Sequence, residues 1–182
     1  MEFHGDPAQH PLSPVNQQDL GWRPMTAVDL DAVARIAVVG FPDHFEGRSC
    51  FENRLTLNPS GCFVLATGAG DPQGYLVAYP WRTDSAPALN TLIPAIPADA
   101  AVMYLHDLNL LPAVRGGGWS RPIVERLVDD ARAGGWSRLA LVAVNDATAF
   151  WARHGFAAVE AAGLATKLAS YGPDARYMVR PL

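Results

Sequence analysis

The chain has 182 residues, of which 49% are hydrophobic and 18% charged, with a formal net charge of −4. This composition is typical of one folded domain, and the acidic balance argues against a nucleic-acid-binding surface. No apolar run approaches the roughly 18–20 residues that span a bilayer, so no membrane contact is expected. Two cysteines, Cys50 and Cys62, are too few for a disulfide framework and favour the reducing cytoplasm, and the N-terminus lacks the features of a secretion signal.

The N-terminal part of the chain predicts a tail, a strand and a helix. Residues 1–20 are polar and rich in proline and predict a flexible tail, whereas residues 21–182 predict a single domain that opens with a strand at 21–24. Thr26-Ala27-Val28-Asp29 has the form of a helix-capping box, and apolar residues at intervals of three and four then predict an amphipathic helix from Leu30 to Ala37.

The next segment predicts a helix and a β-hairpin. A second helical stretch is expected from Phe45 to Leu57. Apolar runs at 61–67 and 73–79 flank a turn that contains glycine and proline, and this pattern predicts a hairpin. Residues 82–99 contain three prolines and predict a long irregular connection, which leads to a strand from Val102.

The segment after that strand carries the most informative pattern of the chain. Arg115 precedes three consecutive glycines, Gly116 to Gly118, and a helix follows that has Pro122 in its first turn and ends at Gly134-Gly135. Glycines let the backbone curl and point several N–H groups at one spot, and the helix adds unpaired N–H groups and the positive end of its dipole. Together with the Arg115 cation, the loop predicts a site for a phosphate-bearing ligand.

The C-terminal part predicts the remaining strands of a sheet. Residues 138–144 are apolar at nearly every position, as expected of a central strand that is covered on both faces. A last pair of strands is expected at about 157–160 and 165–168, and a strand at 175–179 would close the sheet.

Two common phosphate-binding loops do not match the glycine segment. A Walker-type loop needs a lysine, and Lys167 is the only lysine of the chain. A dinucleotide-binding fingerprint needs a third glycine where Arg121 stands. The segment instead resembles the Arg/Gln-x-x-Gly-x-Gly/Ala loop of the GNAT superfamily of N-acetyltransferases, read on Arg115, Gly118 and Ser120, with serine as a small departure at the last position.

The resemblance extends to either side of the loop. Pro112 stands three residues before the arginine, and residues 145–156 resemble the family's Asn…Ala…Phe-Tyr…Gly-Phe segment. The resemblance implies a GNAT fold of mixed α/β class, with a mostly antiparallel twisted sheet of about six to seven strands and about four helices. It also implies acetyl-CoA as co-substrate. The residues that it assigns to this co-substrate are Leu108, Leu110, Arg115, Gly116, Gly117, Gly118, Trp119, Ser120 and Asn145.

The resemblance also suggests a proton acceptor for the attacking amine. In several polyamine-type GNAT enzymes a glutamate stands at the position of His106, and an imidazole can do the same work near neutral pH. Asp107 is the second ionisable group near the reactive thioester. Alternation along a strand predicts that the two side chains lie on opposite faces, which makes them a poor metal pair, and no metal site is expected.

The proton donor for the leaving thiolate is less well marked. Many family members carry a tyrosine where this chain has Trp151, whose indole N–H is no usable acid near neutral pH. Tyr171, Tyr177 and Tyr104 are candidates to replace it, with Tyr171 placed first, and a proton from solvent is the alternative.

For the amine acceptor, the sequence offers only residues that could line its binding pocket. Phe41, His44 and Phe45 are candidates for the wall, and Asp43 and Glu46 for anions that attract a cationic amine. The expected function is acetyl transfer to a primary amine of a small molecule or peptide by direct attack in a ternary complex. The alternatives are a non-catalytic acyl-CoA sensor or interaction module and, third, a nucleotide-binding domain. Dimers are frequent in the family, so a homodimer is left open.

Overall fold

The computed structural model describes residues 19–161 and 163–182, which form one seven-stranded sheet and five α-helices. The strands are β1 (Leu20–Pro24), β2 (Cys62–Thr67), β3 (Gly74–Trp81), β4 (Val102–Leu110), β5 (Arg138–Ala143), β6 (Ala157–Ala158) and β7 (Arg176–Pro181). The helices are α1 (Leu30–Gly40), α2 (Arg48–Leu57), α3 (Ser120–Ala133), α4 (Thr148–Arg153) and α5 (Ala165–Ala169). Nearly all of the predicted tail lies outside the described residues.

The strands follow the order β1-β2-β3-β4-β5-β7-β6, in which β4 and β5 are parallel and all other neighbours antiparallel. This confirms the predicted mixed, mostly antiparallel sheet, with five helices in the described residues where about four were expected. None of these helices combines the length and the apolarity needed to cross a bilayer.

Two predicted elements differ from the structure. Helix α2 begins at Arg48, so residues 45–47 belong to the loop before it. The strand expected at 165–168 is wrong, because these residues lie in α5. Alanine, lysine and leucine favour a helix there, and residues 157–158, the expected partner of such a strand, pair with β7 instead, Ala157 lying opposite Val179. The long connection 82–99 is irregular, as predicted.

Helices cover both faces of the sheet. Val33 of α1 and Phe51 of α2 pack against one face, in a core cluster that contains Tyr75 and Tyr79 of β3. Helix α3 packs against the opposite face, where Ile123 and its apolar neighbours are fully buried. Because the central strands are covered on both sides, the side chains of each strand are divided between two cores.

A β-bulge in β4 changes which residues face which core. Val77 of β3 lies opposite Asp107, but the next residue, Ala78, lies opposite Leu105, so His106 has no partner in the register. An extra residue of this kind bends the strand and interrupts the alternation of its side chains. His106 therefore contacts Tyr79 and Asp107 contacts Tyr75, two tyrosines on the same face of β3. The prediction that His106 and Asp107 lie on opposite faces is wrong for this reason.

The corner between β1 and α1 is fixed by a buried carboxylate. Asp29 accepts hydrogen bonds from both terminal nitrogens of Arg23, at 2.7 and 2.8 Å. It also accepts from the backbone N–H and the hydroxyl of Thr26, at 2.8 and 2.9 Å, and the N–H bond is the one that a capping box predicts. Burial alone would raise the pKa of Asp29, but these hydrogen bonds and the Arg23 charge lower it below its usual value.

Candidate functional site

A cleft of about 850 Å³ opens where β4 and β5 separate. The two strands pair only at Met103–Leu139 and Tyr104–Ala140. Beyond these pairs, residues 105–110 of β4 line the cleft together with Leu141 and Val142 of β5 and Val144, which follows β5. The bulge at His106 lies where the pairing of β4 with β5 stops. The extra residue that changes the direction of the side chains therefore stands where the two strands separate.

The backbone of β4 presents N–H groups to this cleft. The N–H of Leu111 donates to the carbonyl of Gln73 at 2.8 Å, which directs it towards β3. Successive N–H groups of an extended strand point to opposite sides, so the N–H of Leu110 points away from β3, and that of Leu108 does the same. Both therefore point to the side on which β5 has separated.

The glycine loop closes one end of the cleft. Gly116 and Gly118 line it with φ angles of +80° and +79°, a left-handed conformation that favours glycine. Among the described residues, no acceptor takes the N–H of either glycine, and a Cβ atom on either would meet no atom within 4 Å. Gly117 differs, because its N–H donates to Val114 and a Cβ atom would lie 2.6 Å from Trp119 Nε1. The loop thus leaves two N–H groups for a ligand.

Positive charge dominates the lining of the cleft. Arg115, Arg121 and Arg153 line it, and Asp107 is the one carboxylate among its described lining residues. Arg115 is held in place because its Nε donates to the carbonyl of Leu110 at 2.8 Å. Trp119 and Ser120 complete the wall at the start of α3. A cationic cleft with free N–H groups is suited to a phosphate-bearing ligand.

The segment after β5 contains an exposed turn and, beyond it, aromatic residues that form part of the cleft wall. Phe150 and Trp151 line the cleft, and their rings pack edge to face with centroids 4.9 Å apart. Asn145 lies in the exposed turn after β5, with a φ angle of +54°, and is not among the described residues that line the cleft. Its predicted contact with the co-substrate therefore stays a prediction.

A second, smaller pocket of about 40 Å³ adjoins the cleft. The two cavities share five lining residues, and these are Phe41, His106, Asp107, Val142 and Val144. His44, Glu46 and Tyr171 belong to the small pocket alone. His106 and Asp107 thus stand between the two spaces.

His106 is held by a buried carboxylate from the loop before α2. Its Nε2 lies 2.5 Å from Glu46 Oε2, and the side chains of both residues are 6% exposed. Burial alone would raise the pKa of Glu46, but His106 and Arg54 lower it below its usual value, so the carboxylate is ionised. An ionised carboxylate only accepts, which places a proton on Nε2, and Nδ1 is hydrogen-bonded to the Tyr79 hydroxyl at 3.1 Å.

Asp107 has a pKa suited to proton transfer near neutrality. Its carboxylate accepts a short hydrogen bond from the Tyr75 hydroxyl. Burial raises the pKa of Asp107 to about 7, against the opposing influence of the His106 charge and the Tyr75 hydrogen bond, and the Glu46 charge raises it further. A carboxylate with this pKa can exist in both protonation states at physiological pH.

Tyr171 lines the small pocket, but its hydroxyl proton has a partner. The hydroxyl donates a short hydrogen bond to the carbonyl of Pro87, and burial raises the pKa of Tyr171 above its usual value. Its assignment as the acid stays a prediction. The residue does not line the larger cleft.

The sequence alone did not reveal the roles of several members of this polar cluster. Glu46 was a candidate only as an anion for the acceptor, whereas the structure pairs it with His106, 60 positions away. Arg54 is 1% exposed, with Nη2 3.9 Å from Glu46, and resembles an ordinary helix-surface residue in sequence. Tyr75 and Tyr79 share a spacing that places them on one face of a strand, but no pattern shows which polar groups they meet.

The family model described as Acetyltransferase (GNAT) family matches residues 29–156, which is more than half of the chain. The chain therefore belongs to the GNAT acetyltransferase family, as the glycine loop and its flanking segments predicted. No curated protein matches the chain in sequence.

Solved structures show the same fold at low sequence identity. GphF, a GNAT-like decarboxylase in complex with isobutyryl-CoA, has a TM-score of 0.69 at 19% identity, covering 88% of this chain and 98% of its own. Ard1 from Thermoplasma volcanium has a TM-score of 0.67 at 14% identity, covering 90% and 98%. The GNAT family N-acetyltransferase YhbS from Escherichia coli, in complex with CoA, has a TM-score of 0.57 at 17% identity, covering 98% and 85%.

Proposed function

We propose that this chain is an acetyl-CoA-dependent N-acetyltransferase that acetylates a primary amine of a small-molecule or peptide acceptor in a ternary complex. The observation that carries the proposal is the placement of His106 and Asp107 between the cationic cleft and the small pocket. In this arrangement the co-substrate enters from one side and the amine from the other. The buried free thiols of Cys50 and Cys62 are consistent with a reducing cytoplasm as the place of action.

The residues of the cleft match the chemistry of coenzyme A. The free N–H groups of Gly116 and Gly118, with the start of α3, would hold the diphosphate, and Arg115 and Arg121 would neutralise its charge. When bound, the thioester supplies an activated acetyl group. The Leu110 N–H would polarise its carbonyl, and the Leu108 N–H would bind the pantetheine arm, since both point into the opening.

An amine must lose a proton before or during its attack. Both nitrogens of His106 already have hydrogen-bond partners, whereas the Asp107 carboxylate has lone pairs beyond the one that binds Tyr75. We therefore assign Asp107 as the group that accepts the proton of the amine. His106, which lines the same cavities, orients the site and influences the charge of Asp107. Glu46 is a positioning residue that acts through His106.

The leaving thiolate also needs a proton. The Tyr171 hydroxyl donates to Pro87 and lies outside the larger cleft, so we expect solvent to supply this proton. Tyr171→Phe is then expected to retain most of the activity, and a large loss of kcat would restore the tyrosine as the acid.

Calorimetry and a thiol-release assay test the proposal in two steps. Isothermal titration should show saturable binding of acetyl-CoA well below millimolar concentration. Release of the coenzyme A thiol should then depend on an added primary amine. The absence of saturable heat would overturn the proposal, and binding without amine-dependent release across polyamines, amino acids, aminoglycosides and peptides would favour the non-catalytic sensor.

A further inference from the structure

The small pocket limits the size of the group that can reach His44, which lines this pocket and not the larger cleft. Its volume is about 40 Å³, compared with about 850 Å³ for the adjoining cleft. A buried water needs roughly 10–15 Å³, so the pocket holds about three non-hydrogen atoms. An aminomethylene group, –CH2–NH3⁺, fits this space, and an amine whose α-carbon carries a further carboxylate or amide does not.

His44 provides an unused acceptor in the same pocket. Its Nε2 lies 2.6 Å from the carbonyl of Tyr171, which can only accept, so Nε2 carries the proton. In the neutral ring Nδ1 is then an acceptor, and this atom is buried without a partner among the described residues. A buried acceptor without a donor is costly, and an amine N–H supplies the donor that His44 lacks.

The charges of the pocket favour a cation. Its described lining includes the carboxylates of Glu46 and Asp107 and contains no lysine or arginine. The buried rings of Tyr104 and Tyr171 form part of its wall, and aromatic faces attract ammonium groups. The described lining thus offers no lysine or arginine to neutralise a carboxylate next to the amine, and its His106 is already paired with Glu46.

We propose that the acceptor is an unbranched primary aliphatic amine, R–CH2–NH3⁺, and that His44 Nδ1 is one of the groups that bind it. The inference rests on the proposed acetyltransferase function and narrows its substrate class. It excludes α-amino acids and peptide N-termini as preferred acceptors, because their α-carbons are branched and carry a second polar group.

A matched series of amines tests the class. Pentylamine, 2-aminohexane and norleucine share one alkyl chain and differ only in a hydrogen, methyl or carboxylate at the α-carbon. We expect kcat/KM for pentylamine to exceed that for 2-aminohexane by about 10- to 100-fold, and that for norleucine by more. A short peptide with a free N-terminus should react as poorly as norleucine. Equal or faster acetylation of norleucine or the peptide would overturn the inference and leave the acetyltransferase function intact.

Two substitutions at His44 separate binding from a structural role. His44→Gln can keep a donor to the Tyr171 carbonyl but lacks the Nδ1 acceptor, so the KM for pentylamine should rise by about tenfold or more while the Kd of acetyl-CoA stays unchanged. His44→Asn places an acceptor near the Nδ1 position and should restore part of the loss. An unchanged KM in His44→Gln would show that His44 only supports Tyr171, and melting temperatures check that both variants are folded.

Binding can also be measured without turnover. Pentylamine should bind the intact chain loaded with coenzyme A in isothermal titration, and His44→Gln should weaken this binding. This readout distinguishes the two failures: loss of coenzyme A binding overturns the proposed function, and coenzyme A binding without pentylamine binding overturns the substrate class alone.

Discussion

Among the described residues, two buried carboxylates have arginine neighbours, and their surroundings differ. Asp29, 3% exposed, accepts four hydrogen bonds, two from Arg23 and two from Thr26, all between 2.7 and 2.9 Å. Glu46, 6% exposed, lies 3.9 Å from Arg54 and is bound to His106 and the Asn90 N–H. Arg54 keeps two buried nitrogens, Nε and Nη2, without hydrogen-bond partners in the described part of the chain.

The difference separates a structural pair from a functional one. The Asp29 cluster satisfies its groups internally, and none of its members lines either cavity. The Glu46 cluster contains polar groups that are incompletely satisfied, and Glu46 and His106 line the small pocket. A buried polar group without a hydrogen-bond partner lowers the stability of the fold. Such groups persist where a ligand or a reaction uses their remaining hydrogen-bonding capacity.

The largest effect is expected at His106. His106→Ala removes the group that stands between the two cavities, and kcat should fall by about 100- to 1,000-fold. The Kd for acetyl-CoA should change little, because the glycine loop and Arg115 are not altered. Thiol-release kinetics and calorimetry measure the two quantities, and equal turnover in the variant would make His106 a purely structural residue.

Glu46→Gln should have a smaller effect on rate and a distinctive effect on pH dependence. The positioning role predicts a loss of about 10- to 100-fold in kcat/KM. The Glu46 charge raises the pKa of Asp107, so its removal should lower this pKa from about 7 when the larger, opposing influence of the His106 charge is retained. Because the proposed role of Asp107 requires its deprotonated form, the rising limb of the kcat/KM profile should then move to lower pH. Asp29→Asn is the matched control and should leave the profile in place; a shift in both variants would contradict the contrast between the two clusters.

Asp29→Ala should affect stability and spare activity. Loss of four hydrogen bonds at a helix start is expected to cost about 2–3 kcal/mol of unfolding free energy, measured by urea denaturation. Since the pKa of Asp29 is lowered in the folded state, its contribution is present above the unfolded pKa and is lost as the pH falls through the folded pKa. The wild type and variant should therefore converge in stability at acidic pH. A loss of kcat in the folded variant would contradict the assignment of Asp29 as a purely structural residue.

The smallest effect is expected outside both clusters. Arg115→Ala should raise the Kd for acetyl-CoA by about tenfold, because one exposed guanidinium contributes modestly beside the backbone N–H groups. The kcat at saturating co-substrate should stay unchanged. Titration calorimetry measures the first and steady-state kinetics the second; a large fall in kcat would mean that Arg115 also fixes the Leu110 backbone through their hydrogen bond.

Local sequence patterns predicted most of the elements and the glycine loop. The apolar periodicity of α1 and the glycines at 116–118 report on backbone conformation within a few residues, so they can be interpreted directly. The helix at 165–169 was missed because its five residues carry too weak a pattern, and the pairing of β6 with β7 is a long-range effect.

The candidate site was predicted only in part for the same reason. His106 and Asp107 were identified by their place before the loop, but their shared face depends on a bulge that forms only when β4 pairs with β3. Likewise, His44 was a candidate for the pocket wall, and only its contact with Tyr171 fixes the tautomer that leaves Nδ1 as an acceptor.

The sequence by itself determined the family, the order of most elements and the loop whose glycine N–H groups face the cleft, because these follow from spacing along the chain. Tertiary structure alone decided the pairing of Glu46 with His106, the pKa of Asp107 and the division into a large cationic cleft and a small anionic pocket. Burial and electrostatic contact act between groups that lie many residues apart, so no local pattern records them.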